Sequence, residues 1–313
     1  MSIRTLNPNQ IPKNATIGIF TPSEPLTEKR LNKLKDSLKI LKKLGFNIKF
    51  APNYNKSSFY MAGSIRDRID DINFLLRDES VNMLMASWGG KSTSQLIKYL
   101  DYELISKSNK IITAFSDGTV LLNAINAKTG LITFCGPNVA GKLEESEWSE
   151  LDFFQRASKG AQILSEKNIS NVIYPGKVLG KLVGGNLSTF TLGLTGSSYL
   201  QDGDDIIFFF ESGSASPQLL DQYLTLLDNS GFLQRIKAMV VGSLENCVDV
   251  KKDWGNRNPV NIIGEFVNKY RIPTIQTEAF GHGKRENPIF PIGAICELNT
   301  ELLTLSITKN ILK

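Results

Sequence analysis

The first 135 residues alternate between two patterns of hydrophobic and polar positions. Short, nearly unbroken apolar runs are typical of strands that a parallel sheet buries on both faces. Between them, apolar residues recur at helical spacing, and capping and turn residues mark the helix ends. Strands are predicted at 15–21, 46–51, 81–87, 110–115 and 131–135, and the helices between them include 93–99 and 118–128. This alternation predicts a doubly wound α/β domain with a parallel sheet.

A change of composition separates this domain from the rest of the chain. The acidic stretch 141–148 and the Ser-, Lys- and Asn-rich stretch 158–171 interrupt the alternation, as linkers do. The predicted organisation is an N-terminal α/β domain at 1–145, a linker at 146–175 and a smaller, mixed β/α C-terminal domain at 176–313. Strands of the second domain are predicted at 178–183, 205–210, 238–243, 273–277, near 292–298 and at 302–307, and helices at 187–194, 217–228 and 259–270.

Composition narrows the classes of function. The 313 residues are 41% hydrophobic and 21% charged, which suits an enzyme with two packed cores. The net charge of +5 is modest, and the lysines of 29–49 alternate with leucines at helical spacing, so they predict a solvated helix face rather than a nucleic-acid surface. No apolar run resembles a signal peptide or a membrane span, and we expect a cytoplasmic protein that binds no membrane. Cys135, Cys247 and Cys296 lie far apart and are expected to be reduced core residues.

The clearest chemical motif is a serine at a strand-to-helix turn. Ser116 lies in the pentapeptide Ala114-Phe115-Ser116-Asp117-Gly118, directly after the predicted strand 110–115. Small residues two positions away on either side are typical of a nucleophile elbow, and the start of the next helix offers amides for a developing oxyanion. A serine that only caps the helix fits the same sequence. The motif by itself leaves both interpretations open.

Two further residues could activate such a serine. His282 is the only histidine and has a glycine on each side within 280–283, and a serine nucleophile needs a base that titrates near neutral pH. Glu211 follows the apolar run 206–210, where a carboxylate needs a partner such as an imidazole N–H. A Ser–Lys pair with Lys91 is an alternative. A loop histidine and a strand-end carboxylate without catalytic roles also fit.

Several ordered segments together point to a known family. In the first half of the chain they are 63–68, 87–90, 96, 99–102, 115–117, 127–130 and 136–137, and in the second half 184–187, 210–211, 281–283 and 291–293. These segments resemble the LD-carboxypeptidase and microcin-immunity family of serine peptidases. The resemblance runs along nearly the whole chain, and the order of so many matches makes chance a poor explanation.

The resemblance implies a catalytic triad, with Ser116 as nucleophile, His282 as general base and Glu211 to orient the histidine, and with catalysis at the domain interface. It implies a serine carboxypeptidase that forms an acyl-enzyme and removes the terminal D-amino acid from L,D-linked murein tetrapeptides, a reaction of peptidoglycan recycling. The other branch cleaves aminoacyl-nucleotide antibiotic conjugates in microcin immunity. The family is typically a metal-free homodimer. The expected partners are therefore a small peptide or peptidyl-nucleotide substrate and a second copy of the chain, with no cofactor, metal or nucleic acid.

The resemblance also assigns the groups around the reacting carbonyl. Backbone amides near Gly89, Gly90 and Asp117 are implied as the oxyanion hole. A carboxypeptidase must in addition hold the free carboxylate of its substrate, and the candidates are loop amides after Gly89 and the basic residues Lys91 and Arg285.

Two departures from the family pattern bear on function. Ala114 replaces the glycine that usually precedes the aromatic residue of the elbow, and alanine is small enough for the turn. The microcin-immunity branch carries a tryptophan-bearing insertion that stacks on the nucleotide base, whereas here the stretch 169–177 is short and offers Tyr174, with Trp148 or Trp254 as substitutes from elsewhere. This departure counts against nucleotide stacking. Two other classes stay open, a glutamine-amidotransferase-like hydrolase, which would carry cysteine at the elbow, and a non-catalytic peptide-binding protein.

Overall fold

The chain folds into two compact units. The computed structural model describes residues 4–141, 159–248, 257–283 and 286–313. The first unit contains residues 1–158, 289–293 and 310–313, and the second contains 159–288 and 294–309. Each unit is built around one β-sheet.

The described residues form fourteen strands and seven α-helices. The strands are β1 (Thr16–Phe20), β2 (Asn47–Phe50), β3 (Met83–Ala86), β4 (Ile111–Ala114), β5 (Thr133–Cys135), β6 (Gln162–Leu164), β7 (Ile169–Tyr174), β8 (Lys177–Asn186), β9 (Ile206–Glu211), β10 (Ile236–Val241), β11 (Thr274–Thr277), β12 (Phe290–Ile292), β13 (Ile295–Asn299) and β14 (Thr304–Ile307). The helices are α1 (Glu28–Lys43), α2 (Ile65–Arg77), α3 (Tyr102–Ser108), α4 (Gly118–Thr129), α5 (Leu187–Leu194), α6 (Pro217–Asn229) and α7 (Pro259–Tyr270).

The sheet of the first unit has the strand order β2-β1-β3-β4-β5-β12. The first five strands pair in parallel, and β12 runs antiparallel to β5. The order 2-1-3-4-5 is that of doubly wound sheets, which bind ligands outside the carboxyl ends of their strands. The predicted α/β class is confirmed, and the loops after β1, β3 and β4 lie along the edge where a ligand is expected.

Capping chemistry fixes most helix ends of the first unit. A capping box begins α2, because Ser64 accepts a hydrogen bond from the Asp67 amide and the Asp67 carboxylate accepts one from the Ser64 amide. The predicted helix at 93–99 is wrong, since only Thr93–Gln95 form a single 3-10 turn. A helix that was not predicted, α3, begins instead after Asp101, whose side chain accepts the Leu104 amide at 2.9 Å. The helix of this segment therefore begins at a cap six residues beyond the turn, outside the predicted range 93–99.

The sheet of the second unit has the strand order β6-β14-β13-β8-β9-β10-β11-β7. Its central strands β8, β9, β10 and β11 are parallel, and the flanking strands pair antiparallel. All six residues of β9 are buried. On one side of it, the rings of Phe190, Phe208 and Phe232 pack with centroids 5.0–5.3 Å apart. The predicted mixed β/α character of this domain is thereby confirmed.

The structure differs from the predicted organisation in two places. Part of the predicted linker 146–175 forms β6 and β7, the edge strands of the second sheet, while 142–158 lies outside the described residues. An edge strand with one solvated face tolerates polar residues, and for this reason composition alone predicts a linker there. The predicted strand near 292–298 is two strands, because the chain turns at Gly293, with φ +93°, between β12 of the first sheet and β13 of the second. The three cysteines are buried, as expected, and among the described residues no helix is long and apolar enough to cross a membrane.

Candidate active site

Ser116 occupies the sharp turn between β4 and α4. Its backbone φ is 60°, in the left-handed region that residues other than glycine seldom adopt. The Gly118 amide donates to the Phe115 carbonyl at 3.1 Å and the Thr119 amide to the Ser116 carbonyl at 3.0 Å, so the helix begins at once. A side chain on Gly118 would overlap the Cβ of Ala114, which explains the small residues on both sides. The turn has the geometry of a nucleophile elbow.

The buried carboxylate of Asp117 holds the loops around this turn. Its Oδ2 accepts hydrogen bonds from the amides of Ser92 and Thr93, each at 2.9 Å, and from the Ser23 hydroxyl. Ser23 follows β1, whereas Ser92 and Thr93 follow β3, so one carboxylate joins loops from three strand ends. These two amides of the loop after Gly89 are occupied and do not serve as donors to a substrate carboxylate.

Arg68 is a second buried connection between the same loops. Its guanidinium donates to the carbonyls of Pro22 at 2.9 Å and Ser92 at 3.2 Å, and to the side-chain oxygen of Gln95 at 2.7 Å. Burial lowers the pKa of Arg68, and the negative charge of Asp117 opposes that effect. Because its partners are neutral oxygens of the protein, Arg68 fixes the loops rather than a ligand.

Of the predicted oxyanion positions, Gly89 and Asp117 lie next to Ser116, whereas Gly90 lies beside Ser23 and Glu24. A Cβ placed on Gly89 would be 3.3 Å from the Ser116 Oγ and 3.4 Å from the amide nitrogen of Asp117. A larger residue at position 89 would therefore fill the space beside the hydroxyl. Gly90 has φ +149°, and a side chain there would overlap the Ser23 hydroxyl.

The other predicted binding residues are less constrained by the structure. Lys91 is exposed on the loop after β3. Tyr174 is half-buried at the end of edge strand β7, which leads into β8. Arg285, Trp148 and Trp254 lie outside the described residues.

In the second unit, parallel strands place Glu211 and His282 at the same edge of the sheet. Glu211 ends β9 and is 0% exposed, and His282 lies in the loop after β11. The Nδ1 of His282 is 2.8 Å from the Oε2 of Glu211. A carboxylate accepts hydrogen bonds and does not donate them, so Nδ1 carries the proton and Nε2 is left as an acceptor. This is the tautomer that a general base requires.

The surroundings of His282 favour its protonated form. Burial alone lowers the pKa of the imidazole, but the hydrogen bond to Glu211 and the negative charges of Glu211 and Glu245 outweigh it, so the pKa lies above its ordinary value. The side chain of His282 is 38% exposed. It therefore combines contact with solvent or substrate with a fixed orientation.

Asn186 is a site residue that the sequence did not predict. It ends β8, next to β9, and its Nδ2 donates to the Oε1 of Glu211 at 2.9 Å. Its Oδ1 accepts from the Thr189 amide at 3.1 Å and the Ser188 hydroxyl at 2.8 Å, which caps α5. The cap fixes which end of the amide faces Glu211. An asparagine before an apolar helix is a recognisable N-cap signal, but its contact with Glu211 depends on the neighbouring strand.

Glycines let the loops around His282 approach closely. A Cβ on Gly213 would lie 3.2 Å from the Cγ of His282, and one on Gly281, where φ is +141°, would lie 2.8 Å from the Cβ of Ser243. The amide of Ser243 donates to the Phe280 carbonyl at 2.7 Å. The glycine before His282 is thus a requirement of close backbone contact.

Each unit contains residue types that serine hydrolases use. One presents a serine on a strained strand-to-helix turn, and the other presents an imidazole whose tautomer a buried carboxylate fixes. No group of three or more His, Cys, Asp or Glu side chains within the described ranges could hold a metal ion. A serine, an imidazole and a carboxylate are the residue types that acyl transfer through a serine ester employs.

Comparison with known proteins identifies the family. Residues 17–136 match the family described as LD-carboxypeptidase N-terminal domain, and residues 179–298 match the LD-carboxypeptidase C-terminal domain. The chain belongs to this family and is a serine peptidase of the carboxypeptidase kind. Similar curated proteins include the Bacillus subtilis protein named "Probable murein peptide carboxypeptidase", 28% identical over 94% of this chain and 91% of that protein. The microcin C7 self-immunity protein MccF of Escherichia coli is 28% identical over 95% of this chain and 94% of its own.

Solved structures show the same two-domain fold. An MccF-like protein from Bacillus anthracis has a TM-score of 0.85 and 26% identity, covering 97% of this chain and all of that one. A muramoyltetrapeptide carboxypeptidase from Oxalobacter formigenes has a TM-score of 0.79 and 22% identity over 93% of this chain and 97% of its own. The two branches of the family thus share this fold.

Proposed function

We propose that the protein is a carboxypeptidase that cleaves the amide bond next to a terminal D-amino acid in L,D-linked murein peptides, with a triad of Ser116, His282 and Glu211. Ser116 Oγ attacks the carbonyl while Nε2 of His282 takes the hydroxyl proton and passes it to the leaving amine. A water molecule, deprotonated by the same imidazole, then hydrolyses the acyl-enzyme and restores the serine. Glu211 holds the ring and stabilises the imidazolium.

The backbone of Ser116 is the observation that carries this proposal. A left-handed conformation at a non-glycine residue costs roughly 1–3 kcal/mol and is concentrated at functional sites. An N-cap residue is extended and needs no such strain. The residue at the cap position of α4 is Asp117, with φ −60°, so capping does not account for Ser116.

The surroundings of Ser116 support acyl transfer. The amide of Asp117 and the backbone at Gly89 lie beside its hydroxyl and are the proposed donors to the tetrahedral oxyanion, together with Gly90. For the substrate carboxylate, the loop after Gly89 keeps Lys91 exposed, and Arg285 is the second proposed cation. Residues in these positions would give the enzyme its requirement for a free C-terminus.

A second substrate class stays in view because relatives of both kinds match over most of the chain. Solved MccF complexes contain aspartyl sulfamoyl adenosine and glutamyl sulfamoyl guanosine, so an aminoacyl-nucleotide conjugate is the alternative substrate. Against it, the stretch that would carry a stacking tryptophan forms β7, and its aromatic residue is Tyr174. Cytoplasmic location, homodimer formation and action without a metal or cofactor remain predictions.

The decisive experiment combines active-site labelling with a substrate panel. A fluorophosphonate probe should label wild-type protein at Ser116, and labelling should be lost in Ser116→Ala and His282→Ala. Mass spectrometry should show release of D-alanine from an L,D-tetrapeptide but not of L-alanine from its L,L counterpart. Turnover should fall by several orders of magnitude in either variant, as in other triads.

A matched control separates the proposed nucleophile from other serines of the same edge. Ser94→Ala removes an exposed hydroxyl from the loop after β3 and should change neither labelling nor turnover. If Ser116→Ala cleaves the tetrapeptide and an aminoacyl-nucleotide at wild-type rates, the mechanism is wrong. Folded wild-type protein that is never labelled would favour a peptide-binding role instead.

A further inference from the structure

Four neighbouring parallel strands of the second sheet each end at, or lead into, a polar side chain at the same edge. Asn186, Glu211 and His282 belong to β8, β9 and β11 and are joined by hydrogen bonds. The fourth strand, β10, leads through a short turn to Glu245. Because carboxyl ends of adjacent parallel strands share one edge, Glu245 lies among residues of the proposed catalytic machinery, and the triad gives it no role.

The backbone holds Glu245 beside the loop of His282. The Ser214 amide donates to the Glu245 carbonyl at 2.7 Å, which ties the turn after β10 to the loop after Glu211. A Cβ placed on Gly283 would lie 2.7 Å from the Oε2 of Glu245, so the carboxylate rests against the residue that follows the histidine. Its negative charge contributes to the raised pKa of His282.

Glu245 is half-buried, and no described side chain forms an ion pair or hydrogen bond with it, although its charge acts on His282. A charge withdrawn from water without a partner is unfavourable. Asp228 in the same unit is a carboxylate with such partners, since Lys269 and Tyr270 both donate hydrogen bonds to it. The position of Glu245 instead leaves its charge available to a cation that arrives with the substrate.

We propose that Glu245 binds a primary ammonium group on the substrate residue that supplies the scissile carbonyl. The inference rests on the proposed function, because it requires His282 to act as the base in cleavage of the amide bond that follows this substrate residue. A carboxylate repels the free carboxylate of the departing amino acid and attracts a cation on the acyl side. In a murein peptide this cation is the side-chain ammonium of a diamino acid, and in an aminoacyl-nucleotide it is the α-ammonium.

The test compares wild type with Glu245→Gln on two pairs of substrates. One pair is an L,D-tetrapeptide whose third residue is a diamino acid, with its side-chain amine free or acetylated. The other is an aminoacyl-sulfamoyl adenosine with its α-amine free or acetylated. Wild type should prefer the free amine of one pair by about tenfold to a hundredfold in kcat/KM, the effect of one hydrogen bond to a charged group. Glu245→Gln should lose that preference, so that its kcat/KM values for the free and the acetylated member of the pair become similar, whatever its overall rate.

Control variants keep the outcomes distinct. Glu278→Gln removes an exposed carboxylate just after β11 and should keep the preference, as should Glu245→Asp, which retains the charge. Activity of Glu245→Gln on the acetylated peptide also shows that the variant is folded. Equal loss on both members of a pair, or a wild type indifferent to acetylation, would overturn the inference and leave the triad intact. A wild type that cleaves none of the four substrates overturns the proposed function and this inference with it.

Discussion

Replacing Asn186 tests whether one side chain both caps a helix and positions Glu211, the carboxylate of the proposed triad. Its Oδ1 accepts from the start of α5, and its Nδ2 donates to Glu211. Asn186→Ala removes both interactions. Asn186→Ser keeps a capping oxygen, since serine is among the best N-cap residues, but has no group that reaches Glu211 as the amide does.

The expected magnitudes follow from these two interactions. Loss of the cap costs about 1 kcal/mol. Loss of the donor to a fully buried carboxylate oxygen costs about 1.5–3 kcal/mol. The serine variant should therefore be destabilised by the second amount only, and the alanine variant by the sum, about 2.5–4 kcal/mol. Both variants should lose kcat to a similar extent, about tenfold to a hundredfold, because a carboxylate free to rotate no longer fixes the imidazole of His282.

Two measurements on the same three proteins decide the matter. Urea denaturation followed by circular dichroism should place the midpoints in the order wild type, Asn186→Ser, Asn186→Ala. Steady-state hydrolysis of the L,D-tetrapeptide should place the two variants together, below wild type. A serine variant with wild-type kcat would show that Glu211 needs no donor from Asn186. A serine variant as unstable as the alanine variant would show that the cap contributes nothing.

Two further predictions concern the base and the elbow. The kcat/KM of wild type should rise with pH through a midpoint above about 6.5, because the neutral imidazole is the proposed base and the pKa of His282 is raised. Glu211→Gln should move this midpoint to lower pH and cut kcat by orders of magnitude. A midpoint that does not move in the variant would contradict this. Gly118→Ala should destabilise the protein by about 1–3 kcal/mol, because the added Cβ overlaps Ala114. In α7, a Cβ on Gly264 meets no atom within 4 Å, so Gly264→Ala should stabilise the protein by about 0.5–1 kcal/mol. Equal melting temperatures for the two alanine variants would refute the packing argument.

The sequence predicted elements wherever local signals and burial agree. The bounds of α5 and α7 match the prediction at both ends, because an asparagine cap precedes a strongly apolar or proline-initiated segment in each case. The edge strand β7 lies in the range predicted as a linker, since its exposed Ser170 and Asn171 are typical of a loop. Its strand conformation is fixed by pairing with β11, a partner more than a hundred residues away in the sequence.

The same distinction applies to the site. The turn at Ser116 could be predicted because a sharp strand-to-helix elbow leaves a local mark, the small residues at 114 and 118. The contact of Glu211 with His282 could be anticipated because a carboxylate at the end of an apolar strand needs a donor, and the structure supplies that donor at 2.8 Å. Glu245 has no such local mark, and the mark at Asn186 indicates a helix cap but not its contact with Glu211. Both residues come close to Glu211 and His282 through the order of strands in the second sheet, which local sequence patterns do not indicate.

Two buried carboxylates illustrate how hydrogen-bond donors decide the role of a charge. Asp117 receives three donors on one oxygen, two of them backbone amides, none of which changes protonation near neutral pH. These hydrogen bonds hold the loops around the turn of Ser116 together. Glu211 receives one neutral amide donor, from Asn186, and one imidazole, from His282. Of these two donors, only the imidazole can gain a proton. In the proposed mechanism the charge of Glu211 would therefore stabilise a transient imidazolium, which suits a residue that supports a base rather than one that supports a fold.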